Sequence, residues 1–274
     1  MSKLSPIGVF DSGYGGLTIL KEIVRTLPSY DYIYLGDNAR APYGTRSFET
    51  VYEYTLQSVS WLFKKGCPLV ILACNTASAK ALRTIQQKDL IKSNDNSRVL
   101  GVIRPTAEII GHYTKTKKIG ILGTNGTVES LSYPLEIEKF FPEVGVYQRA
   151  CPLWVPLIEN NEYASPGADY FVKKDVDGLL NNSHEIDTVL LACTHYPLLM
   201  EKIRKNVPAH VQIISQGEIV AASLKDYLDR HPEIEEKCSK NSQLQFYTTD
   251  SVKDFDRHSA TFFGREVNSI HVDL

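Results

Sequence analysis

Short apolar runs bounded by turn residues alternate with helical stretches along the whole 274-residue chain. The runs at 7–10, 32–35, 69–73, 99–103, 118–122, 188–192 and 211–214 predict strands buried on both faces. The intervals, for example 48–65 and 105–114, predict helices. Strand and helix in regular alternation predict an α/β fold, with mostly parallel sheets covered by helices. The last stretch, 243–274, carries a further strand at 244–248 and helical material, expected to pack back on the first domain.

A duplication underlies this rhythm. Pro6-Ile-Gly-Val-Phe-Asp11-Ser12-Gly13-Tyr-Gly15-Gly16 opens the chain, and Lys118-Ile-Gly-Ile-Leu-Gly123-Thr124-Asn-Gly126-Thr127 restarts it: strand, glycine-rich loop, helix. Ile71-Leu-Ala-Cys74-Asn-Thr76 and Leu190-Leu-Ala-Cys193-Thr194-His195 are likewise variants of one another. The offsets, 120 − 8 = 112 and 193 − 74 = 119, nearly agree, which predicts two related half-molecules. The expected division is 1–99 plus 210–274 for the first domain and 100–209 for the second. In open parallel sheets the ligand site lies beyond the carboxyl ends of the strands. All four loops sit there, so two such domains face to face would enclose one cleft.

Composition narrows the function classes. The hydrophobic and charged fractions, 43% and 23%, are those of an ordinary globular protein. A formal net charge of −2 gives no electrostatic case for nucleic acid or a membrane surface. No apolar run approaches the roughly 20 residues of a spanning helix. Met1-Ser-Lys-Leu-Ser-Pro6 runs straight into a strand without a secretory core, so a cytoplasmic location is expected. The five cysteines (Cys67, Cys74, Cys151, Cys193, Cys238) are odd in number and lack CxxC spacing, which predicts free thiols. Cys67, Cys151 and Cys238 read as packing or bystander positions.

Cys74 and Cys193 are different, because each ends a predicted strand beside polar groups. A single buried cysteine is usually a small hydrophobe. Two at matching strand ends predict a pair of thiols facing one ligand, able to take a proton from one face of a carbon and return one to the other. Asn75 and Thr76, like Thr194 and His195, put donors suited to a carboxylate beside each thiol. Thr124 and Thr127 add hydroxyls from the second glycine loop. The first loop lacks the lysine and third glycine of nucleotide cradles. Its Asp11 suits an ammonium group or an assisting base, although capping of the next helix by Asp11 and Ser12 is the plainer alternative. Gly36 to Gly44, with Pro42 and Tyr43, reads as a turn or as backbone donors to a carboxylate. Zinc is an alternative, since Cys74, Cys193, His195 and Asp11 are acceptable ligand types, though no local ligand spacing supports it.

Together, Asp11-Ser-Gly, Gly36-Asp-Asn-Ala-Arg-Ala-Pro-Tyr-Gly44, Ala73-Cys-Asn-Thr-Ala77, Gly123-Thr-Asn-Gly-Thr-Val128 and Cys193-Thr-His-Tyr-Pro-Leu-Leu199 resemble the glutamate racemase family. The resemblance runs almost the whole chain, to Phe246-Tyr-Thr-Thr249. Aspartate racemases of the same superfamily typically carry Glu where this chain has His195, and arylmalonate decarboxylase relatives keep one catalytic cysteine. Ala192 replaces a common glycine, and Ser215-Gln216-Gly217 stands where relatives often have Asp-Ser.

The resemblance implies two pseudo-symmetric α/β domains and cofactor-independent interconversion of L- and D-glutamate for peptidoglycan, in a protein that commonly dimerises. It implies that Cys74 deprotonates D-glutamate and Cys193 L-glutamate, assisted by Asp11 and His195, with Glu159 a further acidic group near the second thiol. Substrate contacts are implied for Asp11, Ser12, Pro42, Tyr43, Gly44, Asn75, Thr76, Thr124, Thr127, Thr194 and His195. Racemisation of another acidic amino acid such as aspartate, and binding without turnover, are the competing functions. Near-attack distances on the two faces of one carbon predict sulfurs roughly 6–7 Å apart.

Overall fold

The computed structural model describes residues 4–93 and 97–274. Met1 to Lys3 of the N-terminal segment read above lie outside the described residues. The strands are β1 (Ile7–Asp11), β2 (Tyr32–Gly36), β3 (Leu69–Leu72), β4 (Arg98–Gly101), β5 (Lys118–Gly123), β6 (Gly145–Ala150), β7 (Thr188–Ala192), β8 (Gln212–Ile214), β9 (Leu244–Thr248) and β10 (Ser269–His271). They form two sheets, ordered β10-β9-β2-β1-β3-β4 and β6-β5-β7-β8, and all neighbouring pairs are parallel.

The order β2-β1-β3-β4 recurs one for one as β6-β5-β7-β8, so the duplication visible in sequence is a duplicated sheet. β9 and β10 extend the first copy, and the final stretch therefore does pack on the first sheet. β1, β3 and β7 bury every residue, because helices cover both faces. A core cluster running from Ile7 and Val9 to Trp154 and Val189 joins the halves. Helix Leu17–Thr26, from the first half, turns Leu17, Ile19, Leu20 and Ile23 inward and packs on helix Gly217–Arg230, which follows β8.

The elements depart from expectation in a few places. The strand expected at 99–103 ends at Gly101, and helix Ile103–Ala107 begins at once. Pro105 falls in that first turn, where a missing N–H leaves no helical bond unmade. The helix expected at 105–114 closes at Ala107, and a 3₁₀ turn, Ile110–His112, follows. There Gly111 lies so close to the Phe141 ring that a β-carbon would meet it at 2.3 Å. β6 and β10 were not foreseen: both are edge strands, and neither contains a buried residue. β4 belongs to the first sheet through Gly101, and β8 carries the second sheet to Ile214, past the divisions expected at 99 and 209. Among the described residues no helix is long and apolar enough to cross a membrane.

Candidate active site

Parallel pairing brings the carboxyl ends of β1 and β3 side by side in one half, and those of β5 and β7 in the other. Between them lies a cleft enclosing about 680 Å³ of empty space, its open mouth included. Asp11, Ser12, Cys74, Asn75 and Thr76 line it from the first half, and Thr124, Glu159, Cys193, Thr194 and His195 from the second. Pro42, Tyr43 and Gly44 complete the wall from the loop after β2.

Cys74 is the N-cap of helix Asn75–Lys80, and its Sγ accepts the Ala77 N–H at 3.4 Å. The Ser12 hydroxyl lies 3.4 Å from the same sulfur. Both contacts favour a thiolate, but burial and the neighbouring Asp11 charge outweigh them and push the Cys74 thiol up to about 12. Asp11 accepts the Gly13 N–H at 2.9 Å through Oδ2. Its Oδ1 is buried without a protein partner. Burial raises the Asp11 carboxyl above its ordinary value, against the pull of His195 and the Gly16 and Gly13 amides. The first half thus offers a thiol held toward its protonated form beside a buried carboxyl group with one unpaired oxygen.

The second half is built differently. Cys193 Sγ lies 3.8 Å from His195 Nδ1, and His195 Nε2 lies 2.9 Å from Glu159 Oε1. Burial opposes charge on His195, yet its bonds to Cys193 and Glu159 prevail and raise its pKa well above the usual value. His195 is thus biased toward its protonated form beside Cys193, and the Glu159 carboxylate orients it from behind. Glu159 closes helix Trp154–Glu159, and only the family resemblance pointed to it in the sequence.

The remaining groups divide into those that face the cleft and those that brace it. Thr76 Oγ1 meets Thr124 Oγ1 at 2.9 Å across the two halves, and Thr124 meets Thr127 at 3.1 Å. Thr127 is fully buried and does not line the cleft, so the expected direct contact becomes a brace behind Thr124. The Tyr43 hydroxyl donates to Asp37, which also holds Arg40 at 2.6 Å and Thr249 at 2.9 Å. Tyr43 can therefore present its ring and backbone, not its hydroxyl. The Gly44 carbonyl accepts the Gly126 N–H at 2.8 Å, a second tie between halves. Thr194 is held by the Thr18 hydroxyl, which donates to its carbonyl at 3.0 Å. Gly15 sits beneath Thr194 and His195, where a β-carbon would lie 2.3 Å from Thr194 Oγ1 and 2.4 Å from His195 Nδ1.

Sequence reasoning missed Cys151, Pro152, Val155 and Pro156, which form an apolar wall of the cleft. Cys151 had read as packing, and its thiol does donate to the Arg149 carbonyl at 3.7 Å. Its strand-end position after β6 carried no visible signal because β6 itself had none. Among the described residues no three His, Cys, Asp or Glu side chains form a group that could hold a metal ion.

Comparison with known proteins places this geometry. Residues 7–224 match the family model described as Asp/Glu/Hydantoin racemase. The glutamate racemase of Streptococcus gordonii is 40% identical over 98% of each chain, and that of Geobacter metallireducens 38% identical over 97% of this chain and 95% of its own. The structure superposes on a glutamate racemase isoform from Bacillus anthracis with TM-score 0.89 and 36% identity, over 98% of each chain. It also superposes on the Francisella tularensis glutamate racemase in complex with D-glutamate, at TM-score 0.84 and 31% identity, over 98% of this chain and 97% of the other. Sheet order, cleft and full-length similarity agree: the chain belongs to the Asp/Glu/Hydantoin racemase family.

Proposed function

We propose that this protein is cytoplasmic and interconverts L- and D-glutamate without a cofactor, by proton transfer between Cys74 and Cys193, and so supplies D-glutamate for peptidoglycan. The observation that carries the proposal is the pairing of the thiols. They stand at equivalent strand ends of the two sheets, line one cleft, and each has its own proton-handling partner.

The α-proton of an amino acid is very weakly acidic, so the base must be a thiolate and the developing negative charge needs fixed donors. One thiol has to be ionised while the other is protonated. The two thiols have different proton-handling neighbours. Burial and Asp11 push the Cys74 thiol up and so hold its proton on sulfur, whereas His195, biased toward its protonated form, faces Cys193. In this state Cys193 takes the α-proton of L-glutamate, and the electron pair moves into the α-carboxylate as enediolate character. Cys74 then delivers its proton to the opposite face, giving D-glutamate, a protonated Cys193 and a Cys74 thiolate. D-glutamate reverses each step. Asp11, with Oδ1 open, suits the substrate ammonium or the Cys74 proton, and the ammonium charge offsets the repulsion between Asp11 and the thiolate. Asn75, Thr76, Thr124 and Thr194 are donors by type for the carboxylates.

The test is incubation of purified protein with L-glutamate in D₂O, followed by circular dichroism and proton NMR. The two-thiol reading expects loss of rotation, with deuterium entering D-glutamate early while the remaining L-glutamate stays protiated. Neither inversion nor exchange, in folded protein with reduced thiols, would remove the proposal in favour of another substrate or binding without turnover.

A further inference from the structure

Behind Asn75 lies a closed circuit of three buried side chains. Asn75 Nδ2 donates to Gln216 Oε1 at 2.7 Å, Gln216 Nε2 donates to the Tyr133 hydroxyl at 2.7 Å, and that hydroxyl donates to Asn75 Oδ1 at 2.7 Å. Gln216 Nε2 also approaches the Val102 carbonyl at 3.1 Å and Thr106 Oγ1 at 2.9 Å. Asn75, Gln216 and Tyr133 are all almost completely removed from solvent. Gln216 precedes helix Gly217–Arg230 at the N-cap position, yet its side chain caps nothing, because it turns inward to this circuit.

The circuit has only one consistent direction. A backbone carbonyl can only accept, so the Gln216 atom facing Val102 must be nitrogen. Thr106 spends its hydroxyl proton on the same carbonyl, at 3.1 Å, and so accepts from Gln216, whose two amide protons go to Thr106 and Tyr133, with the Val102 carbonyl sharing the first at longer range. Gln216 then turns its oxygen to Asn75, and the Asn75 atom that meets it must be Nδ2. This leaves Oδ1 for Tyr133, whose proton goes there and whose lone pair receives Gln216. The backbone carbonyl just past β4 thus sets, through Gln216, the orientation of the Asn75 amide. Gln216 is the only described partner of Asn75 Nδ2 in the protein, so one of its two N–H bonds remains unused on a residue that lines the cleft.

We infer that Gln216, relayed by Tyr133, is a positioning residue for the proposed racemisation, locking the Asn75 amide so that its second N–H serves the substrate α-carboxylate. The inference rests on the racemase reading for its kinetic consequence and on the circuit alone for its structural one. A short side chain such as serine at this position could not span from Val102 to Asn75.

Two variants test it, each with and without Asn75→Ala. Gln216→Leu removes every bond of the amide at similar volume, and Tyr133→Phe removes one hydroxyl and leaves the packing. Each is expected to lower kcat/KM for glutamate about ten- to a hundredfold, the cost of a misplaced catalytic donor. In the Asn75→Ala background each is expected to add less than about a twofold further loss, since both act through that amide. Multiplicative losses in the double variants, or unchanged kcat/KM in folded Tyr133→Phe, would overturn the inference. If Gln216→Leu does not fold, Tyr133→Phe decides. An independent readout is the ¹⁵N–¹H signal of the Asn75 side-chain amide, identified by its absence in Asn75→Ala. It is expected to shift in Tyr133→Phe, and an unmoved signal refutes the locking whatever the activity. A shifted signal in a protein that racemises no glutamate would support the locking and refute the racemase reading instead.

Discussion

Gly15→Ala tests whether the second thiol's environment depends on the close approach of the first half. The backbone at Gly15 lies outside the left-handed region, so alanine pays no conformational penalty there. The cost is steric. The new methyl would lie 2.3 Å from Thr194 Oγ1 and 2.4 Å from His195 Nδ1, where ordinary contact begins near 3.4 Å. Thr194 and His195 must therefore retreat by about 1 Å, or the two halves must part by as much. Overpacking of this kind costs about 1–3 kcal/mol. At roughly 2–4 °C per kcal/mol for large domains, Tm should fall by about 2–12 °C. Displacing a reacting group by 1 Å costs about a hundredfold in rate, so kcat/KM should drop far more than stability does. Gly123→Ala is the control. It ends β5 in the second sheet, but its methyl would meet Thr127 only at 3.5 Å, an ordinary contact. Polarimetry for both directions, with a thermal melt, makes the comparison. A folded Gly15→Ala protein with wild-type kcat/KM would refute the claim that this contact sets the His195 geometry.

Further outcomes follow from the same geometry. Cys74→Ala and Cys193→Ala are each expected to abolish racemisation while the melt stays near wild type; loss of folding would instead mark the thiols as packing groups. Glu159→Gln removes one of the two partners that hold His195 protonated. Activity that needs the imidazolium falls as pH rises through the His195 pKa, so the variant's falling limb should lie at lower pH than the wild type's; an unmoved pH–rate profile would refute this. The stability contributed by His195 is fully present below its unfolded value of about 6.5 and is lost as pH rises through the raised folded one. Glu159→Gln should diminish this contribution, which thermal melts across that range would show. Thr124→Val removes the N-cap of helix Asn125–Glu129 and the hydroxyl bridge to Thr76. It should cost about 1 kcal/mol in a melt and raise KM for glutamate about tenfold.

The α/β class and the two half-molecules were legible in the sequence because they depend on local order. Apolar runs of strand length and glycine loops at matching offsets reflect contacts within one strand–loop–helix unit. The same locality exposed Cys74 and Cys193, each two residues or fewer past a strand in a repeated motif. Edge strands β6 and β10 escaped because their residues, Gly145-Val-Tyr-Gln-Arg-Ala150 and Ser269-Ile-His271, are mixed polar and only partly buried or exposed, and so form no continuous apolar run. The family resemblance supplied Glu159, but its bond to His195 spans 36 residues and depends on how two helical connections pack. Thr127 looked equal to Thr124 in sequence; the packing of the loop put one hydroxyl in the cleft and the other behind it. Gln216 lies 141 residues from Asn75, and nothing near it in the chain hints at the partnership. Such contacts arise only when the halves dock, and docking is decided by the summed fit of surfaces from distant segments. Sequence periodicity therefore determined which units form, while tertiary packing decided which polar groups meet between them and in what orientation.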